Sequence, residues 1–205
     1  ISVVYSGYDA GRFNTEATDA AQRQALFARF GLERPYIFHH GFIQPRKNLK
    51  RLAQAFRLMT ARDSSLKFDL VLAGGLGWHS EELVAEAEAA RSSGGRVLLT
   101  GPLSDSDLAA MIKGASLVVI PSLYEGFCLP MVEAMACGVP VIASAASCMR
   151  EISGDVLRYF DPESVDEIAA NMREALEDEA LRRELAERGL VRAREFSWRR
   201  CAEET

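Results

Sequence analysis

The sequence is poor in the groups that usually announce a metal centre or a disulfide framework. Three histidines and four cysteines serve 205 residues, with no C-x-x-C pair and no histidine spacing suited to zinc. Cys128, Cys137, Cys148 and Cys201 are scattered, and three of them fall in or near apolar segments, where a buried, reduced thiol is expected. No apolar run approaches the roughly 20 residues that a membrane-spanning helix needs, and no secretory leader opens the sequence. Positive charge is short as well. The 24 Lys and Arg against 29 Asp and Glu leave a net charge of −5, which withholds the electrostatic footprint of a nucleic-acid binder. No internal repeat or low-complexity tract is present. What remains is a chain of one-domain length, 48% hydrophobic, with the reducing cytoplasm as its expected setting.

Strands and helices alternate along it. Strands are predicted over residues 36–41, 68–73, 96–100, 116–120, 139–143 and 156–160. They are apolar throughout rather than alternating, as in a parallel sheet covered on both faces. Helices are predicted over residues 22–30, 47–61 and 81–91, from a Ser104 or Asp105 cap to Gly114, from Pro130, from near Ser164, and from residue 180 onward. The spacing of Leu49, Leu52, Ala53, Phe56 and Met59 marks the buried face of the second. The fold class is therefore α/β, a Rossmann-like three-layer domain with a mostly parallel sheet. Gly41, Gly74-Gly75, Gly101 and Gly126 each follow a strand, so they should share the rim where such folds bind ligands. The polar residues 8–20 read as a mobile linker.

Residues 121–140 carry the densest signal. Glu125 and Glu133 stand eight positions apart, with Gly126 and Pro130 between them and an apolar run on either side. This reads as strand, sharp loop, helix, strand, with Glu125 on the loop and Glu133 in the helix's first turn. The unpaired N–H groups of a helix N-terminus attract phosphate, and a carboxylate one turn in can accept hydrogen bonds from a ribose diol. The backbone of residues 126–129 can donate to sugar hydroxyls or phosphate. Acids also favour a helix's first turn for its dipole alone, and Glu125 could merely cap residues 126–129. Arg46 and Lys47 are a second candidate. Two cations at a helix start oppose its dipole, and an anion between them would remove the conflict; the alternative is an exposed basic loop. Gly41 permits close backbone approach, and residues 101–103 can border a base.

The segment resembles the E-x7-E signature of retaining GT-B-type glycosyltransferases of family 4. The match runs from a strand ending in Pro121-Ser122, through Glu125-Gly126-Phe127-Cys128-Leu129-Pro130, to Glu133-Ala134-Met135-Ala136-Cys137-Gly138-Val139-Pro140-Val141-Ile142. It departs at Cys128, where glycine is commoner. The resemblance implies that Glu125 is the catalytic residue, beside the donor's anomeric carbon. It further implies that Gly126, Phe127, Cys128, Leu129 and Glu133 contact the donor. Arg46 and Lys47, in a Gly41-x-x-x-x-Arg-Lys-Asn context, would hold its diphosphate. Residues 6–9, Ser-Gly-Tyr-Asp, resemble the family's Asn-Gly-x-Asp segment after the linker between two halves, and Ser197-Trp198 resembles the start of a crossover helix. The expected organisation is a linker over residues 1–20, a nucleotide-sugar-binding domain over 21–196 and a crossover helix from 197, together the C-terminal half of a GT-B enzyme.

The activity implied is transfer of a sugar from a UDP- or GDP-linked donor to a glycan or lipid-linked acceptor, which an N-terminal domain would hold. No cofactor or metal and no nucleic acid is expected, and the full enzyme would be cytoplasmic or peripheral to the membrane. Alternatives are a sugar-nucleotide epimerase or glycan phosphorylase on the same architecture, or a non-catalytic nucleotide-binding module indifferent to Glu125. No rim lysine suits the pyridoxal phosphate of a phosphorylase. His39, His40 and His79 form no metal set. The arginines of residues 182–200, interleaved with Glu184, Glu187 and Glu195, read as a solvated helix face or a surface against the other half.

Overall fold

Successive strand residues point to opposite sides of the sheet they build. Tyr36 and Phe38 enter one apolar core and Ile37 the other; Val71 and Val118 join the first, while Leu70, Leu72, Leu117 and Val119 join the second. A computed structural model describes residues 2–63, 65–78, 80–92 and 94–205; His79, named above among the histidines, and Ile1 lie outside them. The strands are β1 (Tyr36–His40), β2 (Asp69–Ala73), β3 (Arg96–Gly101), β4 (Leu117–Ile120), β5 (Val141–Ser144) and β6 (Arg158–Phe160). All pair in parallel, in the order β3-β2-β1-β4-β5-β6. The α/β class and the parallel sheet read from the sequence are those observed.

On one face pack α2 (Leu49–Arg62), α3 (Glu81–Ser92) and α7 (Val165–Glu177); on the other lie α1 (Ala20–Phe30), α4 (Asp105–Lys113) and α5 (Leu129–Ala136). A short α6 (Met149–Ser153) precedes β6, and α8 (Glu179–Ala193) covers α5. No helix of the described residues is long and apolar enough to cross a membrane.

Three expectations need correction. The helix predicted over residues 47–61 is α2, but its start is displaced: Pro45–Lys47 form a 3-10 turn, separated from α2 by Asn48 at φ 59°. Asparagine tolerates that left-handed conformation, and its buried side-chain amide fixes it by donating to the Pro121 and Pro162 carbonyls at 3.0 and 2.7 Å. The C-terminal helix is also broken. Phe196 turns inward, 3% exposed, and Ser197 caps α9 (Trp198–Glu204) by accepting from the Arg200 N–H. The segment read as a mobile linker is packed onto the domain up to at least Asn14. Phe13 is buried, Arg12 pairs with Asp105 at 2.7 Å and Asn14 accepts from Lys113 at 2.9 Å.

The glycine rim is crowded at one point. Gly74 has φ 146°, and a Cβ there would lie 2.0 Å from the Gly41 carbonyl oxygen. Gly101, at φ 71°, has open space where its Cβ would be. Gly74→Ala should therefore cost about 2–4 kcal/mol through overpacking and backbone strain, and Gly101→Ala only about 1 kcal/mol through its left-handed φ. Urea midpoints of the two variants check the ranking; equal losses would refute the close approach.

Candidate functional site

The chain leaves β1 toward one edge of the sheet and β4 toward the other, so their C-terminal ends flank a crevice. The two loops that emerge there are stitched together, Leu123 N–H donating to the Arg46 carbonyl at 2.8 Å. Glu125 sits between them. Its Oε1 accepts from Lys47 Nζ at 2.6 Å and from Ser122 Oγ at 2.8 Å, and its Oε2 accepts from Arg46 Nη1 at 2.5 Å. Arg46 Nη1 also donates to the Tyr124 carbonyl at 3.1 Å. Burial by itself would raise the Glu125 carboxyl, but the hydrogen bonds and charge of Lys47, with those of Arg46 and Ser122, outweigh it and hold the group below its ordinary range. The Lys47 side chain is 6% exposed and Arg46 42%, so the basic loop is half interior. The anion that the cation pair needs is supplied by the protein itself.

Ser147 closes the other side, donating from Oγ to the Glu125 carbonyl at 2.7 Å and accepting from the Glu125 N–H at 3.3 Å. Gly126 then opens to solvent. Phe127 turns its ring inward against Tyr5 and Phe196. Cys128 takes φ 68° and caps α5, so the position where the resemblance favours glycine does adopt a glycine-like conformation. Its thiol is buried and pushed up to about 12, which leaves it neutral. Leu129 and Pro130 open the helix. Gly41 lies beside Lys47, whose Nζ would be 3.5 Å from a Cβ there.

Glu133 departs from expectation. With Leu129 as the first helical residue it stands fifth, in the second turn, and no acid occupies the first. Burial pushes its carboxyl up to about 7; Arg12 pulls it down and Asp105 adds to the rise. Its Oε2 lies 3.5 Å from His40 Nε2, yet His40 is held down at about 3 by burial, His39 and Lys47. The contact therefore joins a neutral imidazole to a carboxyl that titrates near neutrality. His39, lowered by burial to about 4, donates from Nδ1 to the Val119 carbonyl at 2.9 Å. A cavity of about 230 Å³ lies between the ends of β1, β2 and β3, bordered by His40, Gly41, Phe42, Gly75 and Leu103. A larger cleft of about 410 Å³, between α2 and Trp78, lies on the outer side and touches neither glutamate.

Among the described residues no three His, Cys, Asp or Glu side chains converge as a metal set. The expectation that no metal is needed rests on the absence of an Asp-x-Asp motif, but the sequence does hold one such triplet, Asp105-Ser106-Asp107. It occupies the first turn of α4, with Asp105 paired to Arg12 and Asp107 to Arg29 at 3.5 Å. Asn48, Ser147 and His40 also escaped weighting as site residues. Asn48 directly follows the cation pair, whereas nothing in sequence spacing points to Ser147.

The model of the glycosyl transferases group 1 family matches residues 22–192. The chain is 36% identical over 170 residues to the O-antigen chain mannosyltransferase B of Escherichia coli, covering 83% of this chain and 44% of that protein. It spans less than half the length of the curated relatives it matches. The C-terminal domain of a glycosyl transferase group 1 family protein from Francisella tularensis superposes with TM-score 0.76 at 22% identity, covering 92% of this chain and 97% of that one. Anabaena HepE, in complex with UDP and glucose, superposes with TM-score 0.82 at 20% identity over 98% of this chain and 55% of that one.

Removing Glu125 leaves Lys47 buried without its counter-ion, so Glu125→Ala should cost about 3–5 kcal/mol. Arg46→Ala removes a largely solvated partner and should cost about 1 kcal/mol or less. Because the Glu125 carboxyl is lowered on folding, its stabilisation is complete above its ordinary value of 4.5 and is lost as pH falls through the folded value. Urea unfolding of the Glu125→Ala variant should thus be less steeply weakened by acid than that of the wild type. An unchanged acid limb would show that the pair does not hold the loops.

Proposed function

The chain belongs to the glycosyl transferases group 1 family, and we propose that it is the donor-binding half of a retaining transferase that uses a nucleotide-diphosphate sugar. The observation that carries this reading is the meeting of Arg46, Lys47 and Glu125 at the crevice between β1 and β4. Two cations converge where an anionic ligand would approach past Gly41, and the neighbouring N-terminus of α5 adds a positive dipole end. In the bound state the diphosphate becomes a second anion for Arg46 and Lys47. Glu125 then shares them and can turn toward the transferred sugar, beside its anomeric carbon. The backbone of residues 126–129 donates to the sugar or phosphate, Glu133 accepts from the ribose diol, and the base enters the cavity beside Gly75 and Leu103.

The donor is a UDP- or GDP-linked sugar, and the mannosyltransferase relatives favour a mannosyl group. The acceptor is a glycan or lipid-linked sugar held by an N-terminal domain. Placing donor and acceptor at about 3–3.5 Å needs both walls of the cleft. The diphosphate charge is met by side chains and dipoles, so binding requires no divalent metal. The enzyme works in the cytoplasm or at the membrane surface.

Titration calorimetry with UDP-glucose and GDP-mannose, with and without EDTA, tests the reading. Arg46→Ala with Lys47→Ala should weaken the nucleotide sugar far more than the bare nucleoside; equal losses would mean that the pair acts elsewhere. In the full-length enzyme the product should keep the donor's anomeric configuration, read by NMR of the anomeric coupling, and an inverted product would sink the retaining mechanism.

Ribose hydroxyls donate to a carboxylate, so donor binding should lower the Glu133 carboxyl from its free value of about 7. Binding then releases a proton, and affinity rises with pH through that value. If the bound group returns to the ordinary range, affinity for the nucleotide sugar should grow about tenfold between about pH 6 and 8. Glu133→Gln should abolish the dependence. His39 and His40 titrate too low to mimic it. A pH-independent affinity in the wild type would remove Glu133 from the ribose site.

A further inference from the structure

Three aromatic rings from distant parts of the chain close a triangle behind the Glu125 loop. Tyr5, near one end of the chain, lies 6.2 Å from Phe127 and 5.9 Å from Phe196, which is near the other end; Phe127 and Phe196 meet edge to face at 5.4 Å. The two outer members are independently anchored. Tyr5 donates from its hydroxyl to Glu151 at 2.8 Å. Phe196 lies under the Arg192 guanidinium, 5.0 Å from the ring centroid, and Arg192 in turn donates to the Ile152 carbonyl at 2.8 Å. The terminal segments also touch each other directly. Tyr8 bridges Ser197 as an isolated parallel pair, and a Cβ on Gly7 would fall 2.0 Å from the Trp198 backbone nitrogen.

Phe127 is the only one of the three that belongs to the site. It stands between Gly126, which faces solvent, and Cys128, whose left-handed backbone starts α5. Gly126 has no side chain to pack, and Cys128 is held by its own burial, so Phe127 carries the remaining attachment of the loop tip. Its ring is the one large side chain that ties residues 126–128 to the body of the domain.

We infer that Phe127 is a positioning residue, and that Tyr5 and Phe196 form a clamp through which both terminal segments set the conformation of the loop over residues 125–129. The inference rests on the donor-site reading above for its consequence, that the clamp fixes the part of the site facing the transferred sugar. The side chains proposed to hold the nucleoside diphosphate, Arg46, Lys47 and Glu133, lie outside the clamped loop, so the clamp acts mainly on the sugar's share of binding.

The test uses Phe196→Leu and Tyr5→Leu, with Tyr5→Phe as the conservative control that keeps the ring and loses the bond to Glu151. Amide hydrogen exchange, which needs no ligand, should quicken at residues 126–129 in both leucine variants and much less in Tyr5→Phe, which keeps the ring and loses only its anchor, with β1 and β4 unchanged. Affinity for UDP-glucose or GDP-mannose, whichever the wild type binds, should fall about two- to tenfold in the leucine variants, the scale of one aromatic pair. Affinity for the matching UDP or GDP should change less than about twofold. Unaltered exchange in the loop, or equal losses for the diphosphate and its sugar, would overturn the clamp. A wild type that binds neither nucleotide would instead defeat the donor-site reading and leave the exchange result to decide the clamp.

Discussion

A buried carboxylate shared by two cations holds the crevice together. Glu125, Lys47 and Arg46 come from loops on the two sides of the sheet's reversal point, and their hydrogen bonds of 2.5–2.6 Å join those loops beyond the last paired residues of β1 and β4. Desolvating such a group costs several kcal/mol, and an apolar replacement of equal volume is often as stable. Stability alone therefore does not explain why an ion cluster occupies this position. The proposed donor site, which must receive an anionic ligand, would. Lys47 is already desolvated and both cations are oriented by Glu125, so the proposed diphosphate would meet preset partners.

The same crevice sets two glutamates against each other. Glu125 gains from Lys47 and Arg46 more than burial takes away, and it stays ionised. Glu133 is buried with no comparable partner, since His40 is neutral, and its carboxyl rises to about 7. Environments that push like groups apart are how one fold assigns them different tasks. One is a fixed anion; the other gains or loses a proton as its surroundings change.

Much of this was legible in the residues. Continuous apolar strands announced a sheet covered on both faces, and glycines after strands announced the rim, because both follow from local chemistry that tertiary context rarely reverses. The Glu125-to-Glu133 spacing marked the loop and helix correctly. Its helical turn came out differently, since Cys128 rather than Pro130 begins the cap and displaces Glu133 into the second turn. The pairing of Glu125 with Arg46 and Lys47 was invisible. It joins residues 79 and 78 positions apart, and a sequence shows the cations' need for an anion without saying which anion meets it. Residues 8–14 misled for a related reason. Their polarity suits a linker, but Phe13 buries itself and Arg12 and Asn14 find partners on α4.

Backbone strain is concentrated in the same place. Among the described residues three that are not glycine have positive φ: Asn48 at 59°, Cys128 at 68° and Ser147 at 56°. All three belong to the loops around Glu125. Each left-handed residue costs about 1–2 kcal/mol, and such strain persists only where its surroundings over-determine it. Here each has its own fastening: Asn48 bonds two carbonyls, Ser147 bonds the Glu125 backbone, and Cys128 is buried under the helix it caps. Asn48 starts α2 directly after the cations, and Cys128 starts α5 two residues after the glycine that opens to solvent. Relaxing either residue to ordinary helical geometry would extend the helix backward and carry Lys47 or Gly126 away from the crevice. The strain is what separates the ends of two helices from the groups that line the site, and the Glu125 network supplies the attachment that sustains it.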